Sequence, residues 1–164
     1  LLAVLPETTA RLAEIPNIIG VKESCGNLQQ ITELIHAVPR RFRVFGGDDN
    51  LALPILSVGG AGLVSVAANA IPLEMSRMIT AALENDWVRA RQMYRKYYNL
   101  ILANFSEPNP QPIKCVLAMM DRIQEVYRLP LMPVEPPTRA RLERVAGELG
   151  LLGELPAVGN LHVV

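Results

Sequence analysis

Short apolar, β-branched runs alternate with amphipathic helical stretches across residues 6–69, and this alternation restricts the possible folds more than any other feature of the chain. Pro6 to Ala13 opens like a helix with proline in its first turn, and Ile18 to Glu23 reads as a buried strand. Asn27 can cap a helix from Leu28 to Val38, whose Leu28, Ile31, Leu34 and Ile35 share one face. Phe42 to Phe45 predicts a second strand. Gly46-Gly47-Asp48-Asp49 turns the chain into a short helix over Leu51 to Val58, and Gly59-Gly60-Ala61-Gly62 forms a tight loop into a third strand, Leu63 to Ala67. Strands recurring about every twenty residues with helices between them need crossover connections, so the sheet is expected to be parallel.

After Asn69 the pattern becomes helical only: Pro72 to Glu84, Trp87 to Phe105, Pro112 to Gln124 and Arg139 to Leu149. The expected organisation is a sheet-bearing part over 1–71, a helical region over 72–153 and a tail over 154–164 to which no function is assigned. Met75, Met78, Met93, Met119 and Met120 fall on helices and read as core filler, and Tyr94, Tyr97, Tyr98 and Tyr127 as packing residues. Pro108, Pro110 and Pro112 read as fixing an extended link between two helices.

Sixteen basic and sixteen acidic side chains balance within 164 residues, which gives no reason to expect nucleic acid or anionic lipid as a partner. No apolar run approaches the roughly 18 residues of a membrane span, and the opening Leu1-Leu2-Ala3-Val4-Leu5 lacks a basic n-region. Cys25 and Cys115 are far apart, with no cysteine or histidine at ligand spacing; a zinc site is not expected, and a reduced, cytoplasmic setting is. His36 and His162 have no partner visible in the sequence.

A parallel, helix-connected sheet places its chemistry at strand C-terminal ends. Three polar groups fall there: Lys22-Glu23, Gly47-Asp48-Asp49, and Ser65 to Asn69. Lys22 ends a β-branched run, where apolar surroundings can bring an amine below its free pKa of about 10.4 and make it a Schiff-base nucleophile for a carbonyl substrate. Asp48 and Asp49 read as capping and mouth-shaping residues; a helical run follows them, unlike the return strand of a metal-binding hairpin. Gly59 to Gly62 precedes a strand, the wrong order for a phosphate cradle. Three parallel strands cannot close a barrel and would leave apolar edges, so further strands or a partner are expected.

Gly20-Val21-Lys22-Glu23-Ser24-Cys25-Gly26-Asn27, Gly46-Gly47-Asp48-Asp49, Gly59 to Asn69, and Phe105-Ser106-Glu107-Pro108-Asn109-Pro110-Gln111-Pro112-Ile113-Lys114 stand in an order and spacing that resemble the dihydrodipicolinate synthase family of pyruvate-dependent class I aldolases. The resemblance runs from about Leu5 to Leu152. It implies an α/β fold: the C-terminal part of a TIM (β/α)₈ barrel, strands six to eight, followed by a helical C-terminal region, with the first five strands outside these residues. It further implies that Lys22 condenses with pyruvate, that the backbone around Val64 faces the keto acid, that Gly47 lines the same pocket, and that no metal or organic cofactor takes part. The reaction it implies joins pyruvate to aspartate semialdehyde and releases 4-hydroxy-tetrahydrodipicolinate. A homo-oligomer, or pairing with a chain that supplies the remaining strands, is the expected assembly. The family's proton-relay tyrosine, its Gly-Thr-Thr-Gly threonines and its mouth arginine are not matched here, so weak turnover by these residues alone is expected. Within the family the alternatives are N-acetylneuraminate lyase and a keto-deoxy-sugar acid aldolase; outside it, a non-catalytic half-barrel interaction module.

Overall fold

Across residues 4–98 the backbone hydrogen bonds are spent mainly on three short parallel strands and on the helices before, between and after them. The structure, a computed structural model, describes residues 4–153. They form two compact units that meet within one helix, between Tyr98 and Asn99. The expected tail over 154–164 and His162 lie outside the described residues.

In the first unit, β1 (Gly20–Glu23), β2 (Arg43–Gly46) and β3 (Gly62–Leu63) lie side by side in that order. Val21 pairs with Val44, Lys22 with Phe45, and Phe45 in turn with Gly62. The ladder continues past the strands, with Gly47 N–H on the Glu23 carbonyl at 2.7 Å and Val64 N–H on the Gly46 carbonyl at 2.8 Å. Helix α1 (Pro6–Leu12) begins with proline and carries Glu7 in its first turn and Arg11 in its last, both suited to the helix dipole. Helix α2 (Leu28–Ala37) is capped as expected, because the Asn27 side chain accepts the Gln30 N–H at 3.2 Å. His36 approaches the Thr32 carbonyl one turn back, through Nδ1 at 2.8 Å.

Ala13, Leu34, Phe42 and Val44 are buried together, and Ile18, Val21, Ile35 and Val38 pack on them. This cluster fixes which face of the sheet the helices cover. Each large side chain so buried is worth about 1.5–3 kcal/mol.

A 3₁₀ turn over Asp49–Leu51 leads into α3 (Ala52–Ser57), where Ala52, Leu53, Ile55 and Leu56 are buried. The chain leaves α3 through Gly59 at φ +105° and Gly60, whose N–H bonds the Ile55 carbonyl at 2.9 Å. A Cβ on Gly60 would lie 2.5 Å from Ile55 Cγ2, so only glycine fits. The third strand is shorter than the expected Leu63 to Ala67, and a 3₁₀ turn covers Ala67–Asn69. The reason lies in the acceptors: the Ala67 N–H goes to the Asp49 carboxylate and the Ala68 N–H to Ser65 Oγ, in place of a neighbouring strand. Helix α4 (Pro72–Leu83) buries Met75 and Met78. After Asn85 in the left-handed region, Asp86 Oδ1 accepts the Arg89 N–H at the start of α5 (Trp87–Ala103).

The second unit holds the end of α5, then α6 (Gln111–Met119) and α7 (Pro136–Glu148), with Leu100, Ile101, Val116, Leu142, Val145 and Ala146 buried. Helix α6 stops before the expected Gln124: Asp121 turns to φ +54°, and the Arg122 N–H closes on the Leu117 carbonyl at 2.9 Å. Helix α7 starts before the expected Arg139, because Pro136 and Pro137 sit in a first turn where no N–H is needed. The proline segment is turned and not extended, with the Gln111 N–H on the Pro108 carbonyl at 3.0 Å. Residues 120–135 are tied to the helices by side chains: Gln111 Nε2 donates to the Met132 carbonyl, Lys114 Nζ to the Val126 carbonyl, and Arg139 to both oxygens of Glu125 at 2.7 and 2.9 Å.

Truncating Leu34 tests the first unit's core. Leu34→Ala is expected to lower unfolding free energy by about 2–5 kcal/mol, read from the shift of the urea midpoint at unchanged slope.

Candidate active site

Alternation along each strand assembles the site. Val21 and Val44 belong to the buried cluster on the helical side, so their neighbours Lys22 and Phe45 leave the opposite face. Two residues further along, Ser24 and Gly47 follow on that same face, and Val64 stands beside them at the end of β3. The structure therefore brings Lys22, Gly47 and Val64 to one edge, the C-terminal edge of the sheet.

Gly47 is where they touch. A Cβ built there would lie 2.5 Å from Lys22 Cε and 1.8 Å from Ser24 Oγ, so the lysine stem and the serine hydroxyl occupy the space a side chain would need. Lys22 itself is exposed, and apolar surroundings do not enclose its amine among the described residues. Val64 is half exposed, and its N–H is committed to Gly46.

Asp48 and Asp49 differ sharply. Burial raises the Asp48 carboxyl above its ordinary pKa, while the Lys22 ammonium acts in the opposite direction and Glu23 adds to the rise. Asp49 is fully buried, and its Oδ2 accepts the Ala67 N–H at 2.8 Å. Burial also raises its pKa, opposed first by that hydrogen bond. Asp49 thus ties the loop after β2 to the loop after β3, while Asp48, expected to cap, makes no side-chain cap hydrogen bond. Its neighbour Asn50 is held by the Tyr94 hydroxyl, which donates to the Asn50 carbonyl at 2.5 Å. Tyr94 does more than pack, and its ring lies 5.2 Å from that of Tyr98; Tyr97 is buried as expected.

The Gly59 to Gly62 loop cradles no anion, since the Gly59, Gly60 and Ala61 N–H groups already serve the Leu56, Ile55 and Val44 carbonyls. No group of three or more His, Cys, Asp or Glu side chains stands at metal-binding range among the described residues. Ser24 carried no functional signal in the sequence. Its place two residues beyond Lys22, just past the end of β1, was the available clue.

In the second unit, Tyr127 and Glu125 share a network. The Tyr127 hydroxyl donates to Glu125 at 3.1 Å, and Arg139 holds the Glu125 carboxyl below the usual range. The Cys115 thiol, buried beside Arg139, is pushed up to about 11 by desolvation and is correspondingly unreactive.

A parallel three-stranded sheet with covering helices on one face is the arrangement of part of a (β/α) barrel. The chain belongs to the dihydrodipicolinate synthetase family, whose pattern matches residues 2–149. It is 60% identical, over 92% of its length and 50% of the relative's, to 4-hydroxy-tetrahydrodipicolinate synthase of Acidobacterium capsulatum. Dihydrodipicolinate synthase of Aquifex aeolicus superposes with a TM-score of 0.88 at 35% identity, covering 91% of this chain and 51% of that one. The chloride-inhibited synthase of Acinetobacter baumannii, complexed with pyruvate, gives 0.86 at 35% identity, with coverage of 91% and 51%. The chain spans about half the length of the relatives it matches, and its fold is that of part of their TIM barrel.

Asp49 gives this edge a pH signature. Its folded pKa is raised, so the stability linked to its proton is complete below the unfolded value and is lost as pH rises through the folded one. Asp49→Asn is therefore expected to gain stability relative to the native chain on going from about pH 4 to about pH 7, read in paired denaturation curves.

Proposed function

We propose that these residues belong to a pyruvate-dependent class I aldolase of the 4-hydroxy-tetrahydrodipicolinate synthase type, with Lys22 as its Schiff-base lysine. One observation carries the reading: Lys22 stands at the C-terminal edge of a parallel sheet with its stem against Gly47, in a chain 60% identical to a curated synthase of that name. The amine adds to the pyruvate ketone and water leaves. The protonated imine then acts as an electron sink, so that the methyl group loses a proton. The enamine attacks the aldehyde of aspartate semialdehyde, and the amino group of that substrate then adds to the imine carbon and displaces the lysine amine, closing the ring as 4-hydroxy-tetrahydrodipicolinate, a step toward lysine and diaminopimelate. Gly47 lines the pocket by leaving room for the lysine, and the backbone around Val64 faces the keto acid.

On this reading β1, β2 and β3 are strands six to eight of the barrel, and the helices from Pro72 onward are the region that follows. The other strands of such a barrel lie outside these residues. Ile19, beside β1, supports this with a side chain 76% exposed at the outer edge of the sheet. A homo-oligomer in the cytoplasm suits the two free thiols, Cys25 and Cys115.

The chain contains three lysines, Lys22, Lys96 and Lys114, which makes the test selective. Borohydride reduction in the presence of pyruvate, followed by peptide mass spectrometry, is expected to place the adduct on Lys22, with none in Lys22→Ala. Equal labelling of Lys96 and Lys114, or no adduct on folded chain, would contradict the assignment.

A further inference from the structure

We infer that Ser24 is a further catalytic residue of the Lys22 site, its hydroxyl donating a hydrogen bond to the oxygen of a carbonyl compound as Lys22 captures it. The inference rests on the Schiff-base reading of Lys22 and adds a second side chain to it.

Three observations support it. Lys22 and Ser24 leave the same face of the chain, because residues two apart in extended backbone do so. Both reach the notch at Gly47: a Cβ there would be 1.8 Å from Ser24 Oγ and 2.5 Å from Lys22 Cε, so the hydroxyl and the lysine carbon are no farther apart than those two lengths together. Two polar neighbours are committed elsewhere, as the Glu23 carboxylate accepts the Cys25 N–H at 2.8 Å and the Asn27 side chain caps α2.

The chemistry then follows from bond lengths. When Nζ attacks a carbonyl carbon, an N–C bond forms, the carbonyl π pair moves to oxygen, and nitrogen gives up a proton to solvent. That carbon lies two bonds beyond Cε and its oxygen three, roughly 3 Å away. A hydroxyl already beside Cε is within donating range of the oxygen. Charge grows on that oxygen until a proton from solvent makes it the carbinolamine hydroxyl; a second proton from solvent lets it leave as water while the nitrogen lone pair forms the C=N bond, so a donor fixed before the reaction favours the first step. Ser24 gives no proton away; it returns to its starting state when water departs.

The test compares two reactions of the same amine in native chain, Ser24→Ala and Ser24→Thr: borohydride trapping with pyruvate, and acetylation by acetic anhydride, which needs no imine. The expected result is trapping at Lys22 about tenfold slower in Ser24→Ala, acetylation unchanged, and most of the trapping rate restored in Ser24→Thr. Equal trapping in native chain and Ser24→Ala would overturn the inference and leave the Schiff-base reading intact. A parallel fall in trapping and acetylation would also overturn it, by showing that Ser24 only places the lysine. Failure of the native chain to trap pyruvate at Lys22 would overturn the Schiff-base reading itself, and this inference with it.

Discussion

The Asp49 carboxylate, buried and bonded to the Ala67 N–H at 2.8 Å, is the interaction on which the candidate site depends. Adjacent parallel strands are held by the ladder, which runs past their ends as far as Gly47 and Val64. Beyond those residues Asp49 connects the loop after β2 to the loop after β3. It takes the Ala67 N–H at the start of the 3₁₀ turn, where the sequence pattern alone would continue the strand. Burying a carboxylate costs free energy, and its raised pKa reflects that cost.

Around that tie the reacting groups need little further placement. Strand alternation sends Val21 and Val44 into the helical layer and leaves Lys22, Ser24 and Gly47 on the other face. Gly47 lacks a side chain at the one point where the lysine stem and the serine hydroxyl both need space. One face of the sheet thus holds the fold together, and the other carries the candidate site. The amine is exposed because the described residues cover only the helical face, as suits residues that span half the length of their relatives.

Much of this was legible in the sequence because local chemistry and tertiary structure agree. Pro6, the Asn27 cap and the β-branched run before Lys22 each specify their element directly, and the position of Lys22 at a strand end follows from the run. The misjudged boundaries share a cause: long-range or left-handed contacts override a local pattern. Leu63 to Ala67 reads as a strand until the Ala67 N–H finds Asp49, eighteen residues earlier in the chain. Helix α6 would continue by propensity, but Asp121 reverses it and the Lys114, Gln111 and Arg139 side chains secure the segment that follows. The proline segment looked extended because proline favours that conformation, yet the Gln111 N–H turns it back. Ser24 gave no sign, since a serine near a loop is unremarkable until Gly47 is known to lie beside it.

The most direct test of the central claim is to observe the bond itself. Nuclear magnetic resonance of chain labelled with ¹⁵N at lysine Nζ, mixed with pyruvate labelled with ¹³C at C2 and reduced with borohydride, reports one-bond carbon–nitrogen coupling wherever the two have joined. The account predicts a single coupled pair, lost in Lys22→Ala and kept when Lys96 and Lys114 are replaced by arginine. A coupled pair that survives Lys22→Ala would contradict it.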